Sequence, residues 1–206
     1  MIDVKGVSDM IYFTKGHRGI LYTGKYKGKK VVVKAKLPSS LAIGRIENEG
    51  NWLKRLNKVG VGPKLIFACE DYFFYSFVEG EFFIDFVKKL EKGIKSKKKI
   101  IGIIDEVLKQ CFELDKLNVD KEEMHHPLKH VLIDEKFKVT LLDFERCHIV
   151  EYPKNVTQFV VFLMRAKEFL SEYMIKIDQD DLIALSKMYK REQTKENLDK
   201  ILNSIK

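Results

Sequence analysis

Three charged residues stand where apolar patterns would bury them or place them at the end of a strand. Lys34 ends a run of three valines, Glu49 lies beside the apolar positions of a helical pattern, and Asp143 follows the apolar stretch VTLL. An isolated ammonium inside a sheet is costly to desolvate, so Lys34 requires an acidic partner. A carboxylate at the end of a buried strand requires a metal ion or hydrogen-bond donors. Binding of a nucleoside triphosphate uses these parts: a cation on the phosphates, a carboxylate that fixes it, and a carboxylate that holds Mg²⁺.

Each of these residues also has a purely structural interpretation. Lys34 could be an exposed lysine on an edge strand, as Lys36 could be, and Asp143 could cap an ordinary turn. Glu49 is favoured as the partner of Lys34 because it lies near the apolar stripe of its helix, whereas Glu47 points outward.

Two glycines, Gly16 and Gly19, lie in the turn between the first two predicted strands. Where side chains are absent, backbone amides can approach phosphate oxygens closely. The spacing GxxG is a weak signal by itself, because most such turns only close a hairpin. The two glycines are therefore candidates for covering a bound triphosphate.

The composition indicates a soluble globular protein that favours anionic partners. The chain has 206 residues, of which 45% are hydrophobic and 33% charged, and its formal net charge is +8 at pH 7. Such a length suits one domain or two tightly packed lobes. The charge favours nucleotide phosphates, RNA or an acidic protein surface as partners. We expect the densest basic run, KGIKSKKK at 92–99, to be a solvated helix connection rather than a nucleic-acid patch, because no aromatic residues interleave with it.

The sequence contains no predicted membrane anchor or export signal. No stretch has the roughly 20 apolar residues that cross a bilayer, and the first residues, MIDVKGVSDMIYF, lack the apolar core of a signal peptide. Cys69, Cys111 and Cys147 are odd in number and form no CxxC pair, so we expect reduced, buried thiols. The protein is expected to be cytoplasmic, without membrane contact.

The patterns along the chain predict an α+β fold in two parts. Residues 1–78 hold about five short strand patterns with one helix after the third, and the turn around Gly28 predicts a hairpin. Residues 79–206 are mostly helical, interrupted by the strand patterns HVLID and KVTLLDF. Asp120 with Glu123 resembles a capping box for one further helical turn. We expect a small lobe with an antiparallel sheet and a larger helical lobe.

The order of these motifs resembles the protein-kinase superfamily, in the small atypical branch that includes RIO-type and other minimal archaeal kinases. The resemblance spans about residues 11–150. TKGHRG is similar to the end of the glycine-rich loop. VVVK is similar to the strand that carries the phosphate-binding lysine, and ENEGNWLKRL is similar to the helix whose glutamate pairs with that lysine. LLDFE is similar to the metal-binding DFG motif, with Glu145 in place of the glycine. HPLKHV, DFERC and PKNVTQF look like an archaeal group predicted to be serine/threonine kinases.

This resemblance implies a bilobal protein-kinase-like fold with a truncated helical C-lobe and an interlobe cleft that binds ATP and Mg²⁺. Lys34 would bind the phosphates, Glu49 would hold the Lys34 ammonium in position through an ion pair, and Asp143 would be the metal ligand. Gly16 and Gly19 would cover the phosphates.

The resemblance extends to the hinge that holds adenine in kinases. VGVGPKLIF followed by YFFYSFVEGE is similar to the approach to that hinge. Phe77 and Val78 would there present backbone groups to the adenine ring.

The catalytic loop departs from the kinase pattern HRDLKxxN. HHPLK at 125–129 is its best match, with Pro127 in place of the catalytic aspartate and His130 at the position of the asparagine. Imidazole is also a poor ligand for Mg²⁺. Lys129 could neutralise charge on the transferred phosphate, and His130 or His126 could accept a proton near neutral pH.

The function implied is that of an atypical serine/threonine protein kinase that transfers the terminal phosphate of ATP to a protein or to itself. Phosphoryl transfer depends mostly on positioning and charge neutralisation, so a missing base does not by itself exclude it. Three alternatives stay open: a pseudokinase that binds nucleotide without transfer, an RNA- or ribosome-associated module that uses the basic surface, and a small-molecule kinase.

Overall fold

The structure is a computed structural model that describes residues 3–16, 19–37 and 45–205. Parts of two stretches used in the sequence interpretation lie outside these ranges: Met1 and Ile2 of MIDVKGVSDMIYF, and His17 and Arg18 of TKGHRG. The chain divides into two units. Unit 1 comprises Met1–Glu79 and Asp143–Arg146, and unit 2 comprises Gly80–Leu142 and Cys147–Lys206.

Unit 1 contains an antiparallel five-stranded sheet, as predicted. Its strands are β1 (Val7–Lys15), β2 (Gly19–Tyr26), β3 (Lys29–Lys36), β4 (Leu65–Ala68) and β5 (Tyr72–Ser76). They follow the order β1-β2-β3-β5-β4, so β3 is the central strand. Central strands are buried on both faces, which agrees with the run of three valines before Lys34.

The hairpin that joins β2 to β3 fixes the register of Lys34. Tyr26 pairs with Lys29 across a two-residue turn, in which Lys27 has a φ of 49° and Gly28 a φ of 75°. Two positive φ angles define a type I′ turn, whose twist matches that of the strands it joins. Lys34 consequently lies opposite Leu21 on β2, and the hairpin predicted at Gly28 is confirmed.

Helix α1 (Arg45–Leu56) follows β3 and is the helix predicted for this unit. Its buried residues recur at helical spacing and comprise Ile46, Glu49, Gly50, Leu53 and Leu56. Gly50 lies so close to the sheet that an added Cβ would stand 2.9 Å from the Cβ of Ala68. The stripe therefore packs on the sheet and carries one carboxylate, that of Glu49, with it.

Unit 2 is mostly helical. Its helices are α2 (Phe83–Lys88), α3 (Ile94–Lys116), α4 (Asn155–Arg165), α5 (Lys167–Ser171), α6 (Gln179–Arg191) and α7 (Lys195–Ser204). Its short strands are β6 (Glu81–Phe82), β7 (Val119–Asp120), β8 (Val131–Ile133), β9 (Val139–Leu141) and β10 (His148–Ile149). The described residues thus form an α+β fold with seven α-helices, and none of these helices is long and apolar enough to cross a bilayer.

Two local predictions for unit 2 are wrong. The basic run 92–99 is not a connection between helices, because its residues from Ile94 onward form the first turns of α3. Asp120 does not cap a helical turn: its Oδ1 accepts a hydrogen bond from the amide of Glu122 at 2.8 Å, and Glu122 and Glu123 have φ angles of 60° and 57°. The aspartate side chain mimics a turn of the backbone here, which competes with helix formation.

The cysteines match their prediction in part. Cys111 and Cys147 are buried, whereas Cys69 is half-buried beside β4.

A buried polar network connects three helices of unit 2. Asp115 lies near the end of α3. Its carboxylate accepts hydrogen bonds from the backbone amides of Asn155 and Val156, the first two residues of α4, at 3.1 and 3.3 Å. The Asn155 Nδ2 and the Tyr189 hydroxyl on α6 donate to the same carboxylate at 2.7 and 2.9 Å. Burial raises the pKa of Asp115 to about 6, although these hydrogen bonds oppose the rise. The carboxylate thereby satisfies the first amides of α4 and ties that helix to its neighbours.

Candidate functional site

Lys34 projects from β3 into a group of three carboxylates within unit 1. Its Nζ lies 2.5 Å from Oε2 of Glu49, 3.7 Å from Oε2 of Glu145 and 3.8 Å from Oδ1 of Asp143. The Lys34 side chain is 14% exposed and that of Glu49 is 5% exposed. The inward orientation predicted for Glu49 is therefore confirmed, while Glu47 is exposed as expected. We call Lys34, Glu49, Asp143 and Glu145 the acidic cluster.

The acidic cluster carries a surplus of negative charge. One ammonium and three carboxylates give a formal sum of 1 − 3 = −2. Burial by itself would lower the pKa of Lys34, but the attraction of Glu49, Asp143 and Glu145 outweighs it and raises the pKa above its ordinary value. Burial also raises the pKa of Glu49, and Lys34 only partly offsets this because the other two carboxylates repel Glu49. The surplus of negative charge raises the pKa of both groups, and burial adds to the rise for Glu49.

The three carboxylates of the cluster suit a hard divalent cation. Glu49, Asp143 and Glu145 each offer one carboxylate oxygen, and these oxygens lie within 4.8 Å of one another. Mg²⁺ binds oxygen ligands at about 2.0–2.1 Å, so small movements of the side chains would bring two or three of these oxygens onto one ion. The Asp143 side chain is 41% exposed and that of Glu145 only 16%. Asp143 is therefore the ligand that an ion from solvent reaches with the least rearrangement.

The turn that follows β9 places Asp143 beside α1. Asp143 has a φ of 63°, in the left-handed region that aspartate adopts more readily than most residues. Phe144 is fully buried, and its amide donates to Oε1 of Glu49 at 3.4 Å. Nδ2 of Asn48 donates to the carbonyl of Glu145 at 3.3 Å. Two consecutive residues of α1 thus hold the turn, so the helix that positions Glu49 also positions the other carboxylates.

Gly62 provides the space into which Phe144 packs. Its φ is 82°, and a Cβ at this position would lie 2.9 Å from Cδ2 of Leu53 and 3.0 Å from Cε2 of Phe144. Only a residue without a side chain fits both the backbone conformation and the close approach. The burial of Phe144, and through it the placement of Asp143, depends on this glycine.

The two candidate phosphate glycines have structural roles in the described conformation. The amide of Gly16 donates to the carbonyl of Gly19 at 2.9 Å and closes the hairpin between β1 and β2. Gly19 is buried, and a Cβ there would lie 3.0 Å from the Ala35 carbonyl oxygen and 3.6 Å from Cγ of Lys34. The hairpin interpretation accounts for both glycines, and Gly19 allows the chain to pass directly beside Lys34.

The candidate adenine contacts follow β5. The amide of Phe77 donates to the carbonyl of Lys30 at 3.1 Å and extends the pairing of β3 with β5. The ammonium of Lys30 also lies 3.7 Å from the centre of the Phe77 ring. A nucleotide contact at Phe77 would therefore use its carbonyl oxygen, and Val78, which is half-buried, would supply any donor.

Several residues near the cluster were not identified by the sequence. The sequence interpretation treated Glu145 only as a replacement for a glycine. Its position two residues after Asp143 was the signal that could have identified it as a further carboxylate of the site. Tyr75, on β5 opposite Val32, is also close: burial and the negative charge of Glu49 raise the pKa of its hydroxyl. Its position in a uniformly aromatic strand gives no indication of such a neighbour.

Lys129 and His130 belong to unit 2, and only His130 has contacts that define its chemistry. The Lys129 side chain is exposed. Nζ of Lys121, a residue with 2% exposure, lies 2.9 Å from Nδ1 of His130, and Nε2 of His130 lies 3.5 Å from Oε2 of Glu123. A charged lysine can only donate, and with Lys121 charged Nδ1 would accept and the ring proton would be on Nε2, facing Glu123. Lys121 and Glu123 were not candidates from the sequence, since a lysine next to Asp120 is ordinarily a solvated residue.

Comparison with known proteins does not identify a family. No model of a known protein family matches this chain, and no curated protein sequence matches it. The acidic cluster is the feature from which a function can be argued.

Proposed function

We propose that the chain is a kinase-like protein that binds Mg-ATP through unit 1 and transfers the terminal phosphate to a protein or to itself. The observation that carries this proposal is the convergence of Lys34 with Glu49, Asp143 and Glu145, whose nitrogen-to-oxygen distances are 2.5 to 3.8 Å. The order of the sequence motifs supports it, since each resembles the kinase segment that supplies the corresponding group.

The acidic cluster offers separate groups for the phosphates and for the metal ion of Mg-ATP. Lys34 would pair with phosphate oxygens, and Glu49 holds its ammonium in place. Asp143, with Glu145 beside it, would hold Mg²⁺, which would bring the formal charge of the cluster from −2 to −2 + 2 = 0. The bound ion supplies neutralisation of charge on the phosphoryl group during its transfer. An ion that neutralises the surplus carboxylates also lowers their repulsion of the phosphates, so we expect bound Mg²⁺ to favour nucleotide binding.

Two residues of unit 2 have proposed roles in the transfer. Lys129, whose side chain is exposed, is the candidate for neutralising charge on the transferred phosphate. His130 has partners near both ring nitrogens, Lys121 at Nδ1 and Glu123 at Nε2. These contacts suit His130 to holding its loop in place more than to removing a proton from a substrate.

The second candidate function is nucleotide binding without transfer. The loop HHPLKH at 125–130 carries no carboxylate that could take the place of a catalytic aspartate. A protein of this kind would still bind Mg-ATP through the acidic cluster and would use it as a conformational ligand.

Incubation with Mg-ATP followed by intact-mass spectrometry distinguishes these functions. A kinase adds phosphate to itself or to an added protein, consumes ATP, and loses this activity in Asp143→Asn. A protein that only binds nucleotide gains thermal stability with Mg-ATP but neither gains mass nor consumes ATP. Absence of both the mass gain and the thermal shift would contradict both functions.

A further inference from the structure

An open groove between α4 and α6 of unit 2 combines basic and apolar side chains. Its volume is about 450 Å³, within the range of ligand-binding clefts. On the α6 side the lining residues Ile183, Lys187 and Lys190 recur at intervals of four and three, so they lie on one face of the helix. On the α4 side Val161 and Arg165 are likewise one helical turn apart.

The groove is strongly basic. Its lining includes four cations, Lys154, Arg165, Lys187 and Lys190, and no aspartate or glutamate. Within the part of the chain that the structure describes, no carboxylate lies within ion-pair distance of any of the four. Like charges that converge without counter-charges repel each other, and an anionic ligand would relieve this repulsion.

The groove also has an apolar component between its cations. Val161, Met164 and Ile183 contribute to the lining, and Ile183 is 41% exposed. The lining residues include no phenylalanine, tyrosine or tryptophan, and the ring of His125 is too little to form a platform on which successive nucleic-acid bases stack. Aliphatic and thioether groups instead suit the apolar side chains of a peptide, and methionine adapts to different partners.

We infer that this groove binds an acidic peptide segment, with its carboxylates on the lysines and arginine and its apolar side chains on Val161, Met164 and Ile183. The segment belongs to a partner protein, since the groove is complementary to an acidic chain and this chain is itself basic, with a formal net charge of +8 at pH 7. Binding here uses none of the residues proposed to hold Mg-ATP. Failure of either proposal would therefore leave the other unaffected.

The test uses a fluorescent peptide of the length of α6, 13 residues, that alternates leucine with aspartate and glutamate. A matched peptide carries asparagine and glutamine in place of the acids. We expect binding of the acidic peptide to weaken about tenfold in Lys187→Glu/Lys190→Glu and to weaken as salt rises. The control Lys95→Glu/Lys98→Glu changes the net charge by the same amount at exposed positions of α3 outside the groove, and it should bind like the wild type.

Three results of the binding measurements would overturn the inference. The first is an equal loss of binding in both double variants, which would make net charge the cause. The second is equal affinity for the uncharged peptide. The third is displacement of the acidic peptide by a short single-stranded RNA that binds more tightly, which would make the groove a nucleic-acid site. Mapping of amide shifts by NMR on the wild-type protein needs no variant: the acidic peptide should perturb residues 154–165 and 183–190, and perturbations confined to other segments would also refute the site.

Discussion

The ammonium of Lys34 on β3 and the carboxylate of Glu49 on α1 form a short ion pair from which solvent is largely excluded. Neither charge can be removed by itself without leaving the other buried, and a buried uncompensated charge is strongly destabilising. The pair links the strand and the helix of unit 1, and Asp143 and Glu145 surround it.

Replacement of Lys34 by methionine should destabilise the protein by about 3 kcal/mol at pH 7, because Glu49 loses its counter-charge. Burial already raises the pKa of Glu49 in the folded state. A carboxyl group with a raised pKa binds a proton in the folded protein at pH values where the unfolded chain has released it, so its unfavourable effect is relieved as the pH falls. The loss measured by urea unfolding should therefore be smaller at pH 5 than at pH 7.

Lys36→Met is the matched control for this experiment. Lys36 lies two residues further along β3, is half-buried, and has no carboxylate within ion-pair distance among the residues that the structure describes. Its replacement should change the unfolding free energy little at either pH. Equal losses for Lys34→Met at the two pH values would show that Glu49 does not respond to the missing ammonium.

Replacement of Gly62 by alanine should destabilise unit 1 more than the same change at Gly60. Both glycines have positive φ angles, 82° and 76°, but a Cβ at Gly62 would collide with Leu53 and Phe144, whereas at Gly60 it would meet nothing within 4 Å. The backbone strain costs about 1 kcal/mol at either position, and overpacking adds about 1–3 kcal/mol at Gly62. Urea unfolding of both variants measures the difference. Similar losses of unfolding free energy in the two variants would mean that Phe144 moves to accommodate the added methyl group.

Mg²⁺ alone should stabilise the wild-type protein and not Asp143→Asn. At ten times its Kd the ion adds about 1.4 kcal/mol, which is a rise in Tm of about 3–6 °C for a chain of this size. Without Mg²⁺, Asp143→Asn should be as stable as the wild type or more stable, because it removes one of three crowded carboxylates and asparagine also tolerates a positive φ.

Two further variants sharpen the metal experiment. Glu145→Gln should weaken the response to Mg²⁺, since it removes a second oxygen ligand from the acidic cluster. Asp71→Asn, at an exposed position of unit 1, should leave the response unchanged. A Tm that rises equally in Asp143→Asn and the wild type would exclude Asp143 as a ligand.

Much of the fold was predictable because its signals are local. The strand pattern before Lys34, the turn at Gly28 and the apolar spacing of α1 each depend on neighbouring residues, and each is confirmed. Asp120 was misinterpreted because the same side chain can cap a helix or close a turn, and local sequence does not distinguish the two.

The candidate site was predictable only in part, since its geometry depends on contacts distant in sequence. The inward position of Glu49 follows from helical periodicity, but the approach of Glu145 to Lys34 depends on a turn held by Asn48 and Phe144. The burial of Lys121 likewise follows from tertiary packing in unit 2 and not from the residues beside it.

Tyr189→Phe should destabilise unit 2 by about 1.5–3 kcal/mol at pH 7, since it removes a hydrogen bond to the buried carboxylate of Asp115. The pKa of Asp115 is raised to about 6 from an ordinary 3.8. The folded protein therefore keeps a proton that the unfolded chain releases, and the contribution of this group to stability falls as the pH rises from about 4 to 6. The hydroxyl donates to the charged form, so its loss should matter less at pH 5 than at pH 7.

Tyr173→Phe controls for the removal of a hydroxyl from a buried tyrosine of the same unit. Tyr173→Phe should lower the free energy of unfolding less than Tyr189→Phe does at pH 7. Its effect should not depend on the charge of Asp115. A loss for Tyr189→Phe that is the same at both pH values would mean that the hydroxyl does not bind the charged carboxylate.

The imidazole of His130 should be the Nε2–H tautomer in the wild-type protein, because Lys121 donates to Nδ1. Nitrogen-15 shifts of the ring measure this directly. Lys121→Met should remove the constraint and allow the Nδ1–H form or the doubly protonated ring to appear. An Nδ1–H ring in the wild type would contradict the contact with Lys121.

Calorimetric titration with Mg-ATP tests the central claim, that the acidic cluster of unit 1 binds the nucleotide. The wild type and Lys36→Met should bind with the same affinity. Lys34→Met, measured where circular dichroism shows it folded, should bind at least about tenfold more weakly, since it lacks the cation for the phosphates. Asp143→Asn keeps the pair of Lys34 with Glu49 and should lose the dependence on Mg²⁺. Undiminished Mg-ATP binding by Lys34→Met and Asp143→Asn, or no binding by the wild type, would contradict the proposed function.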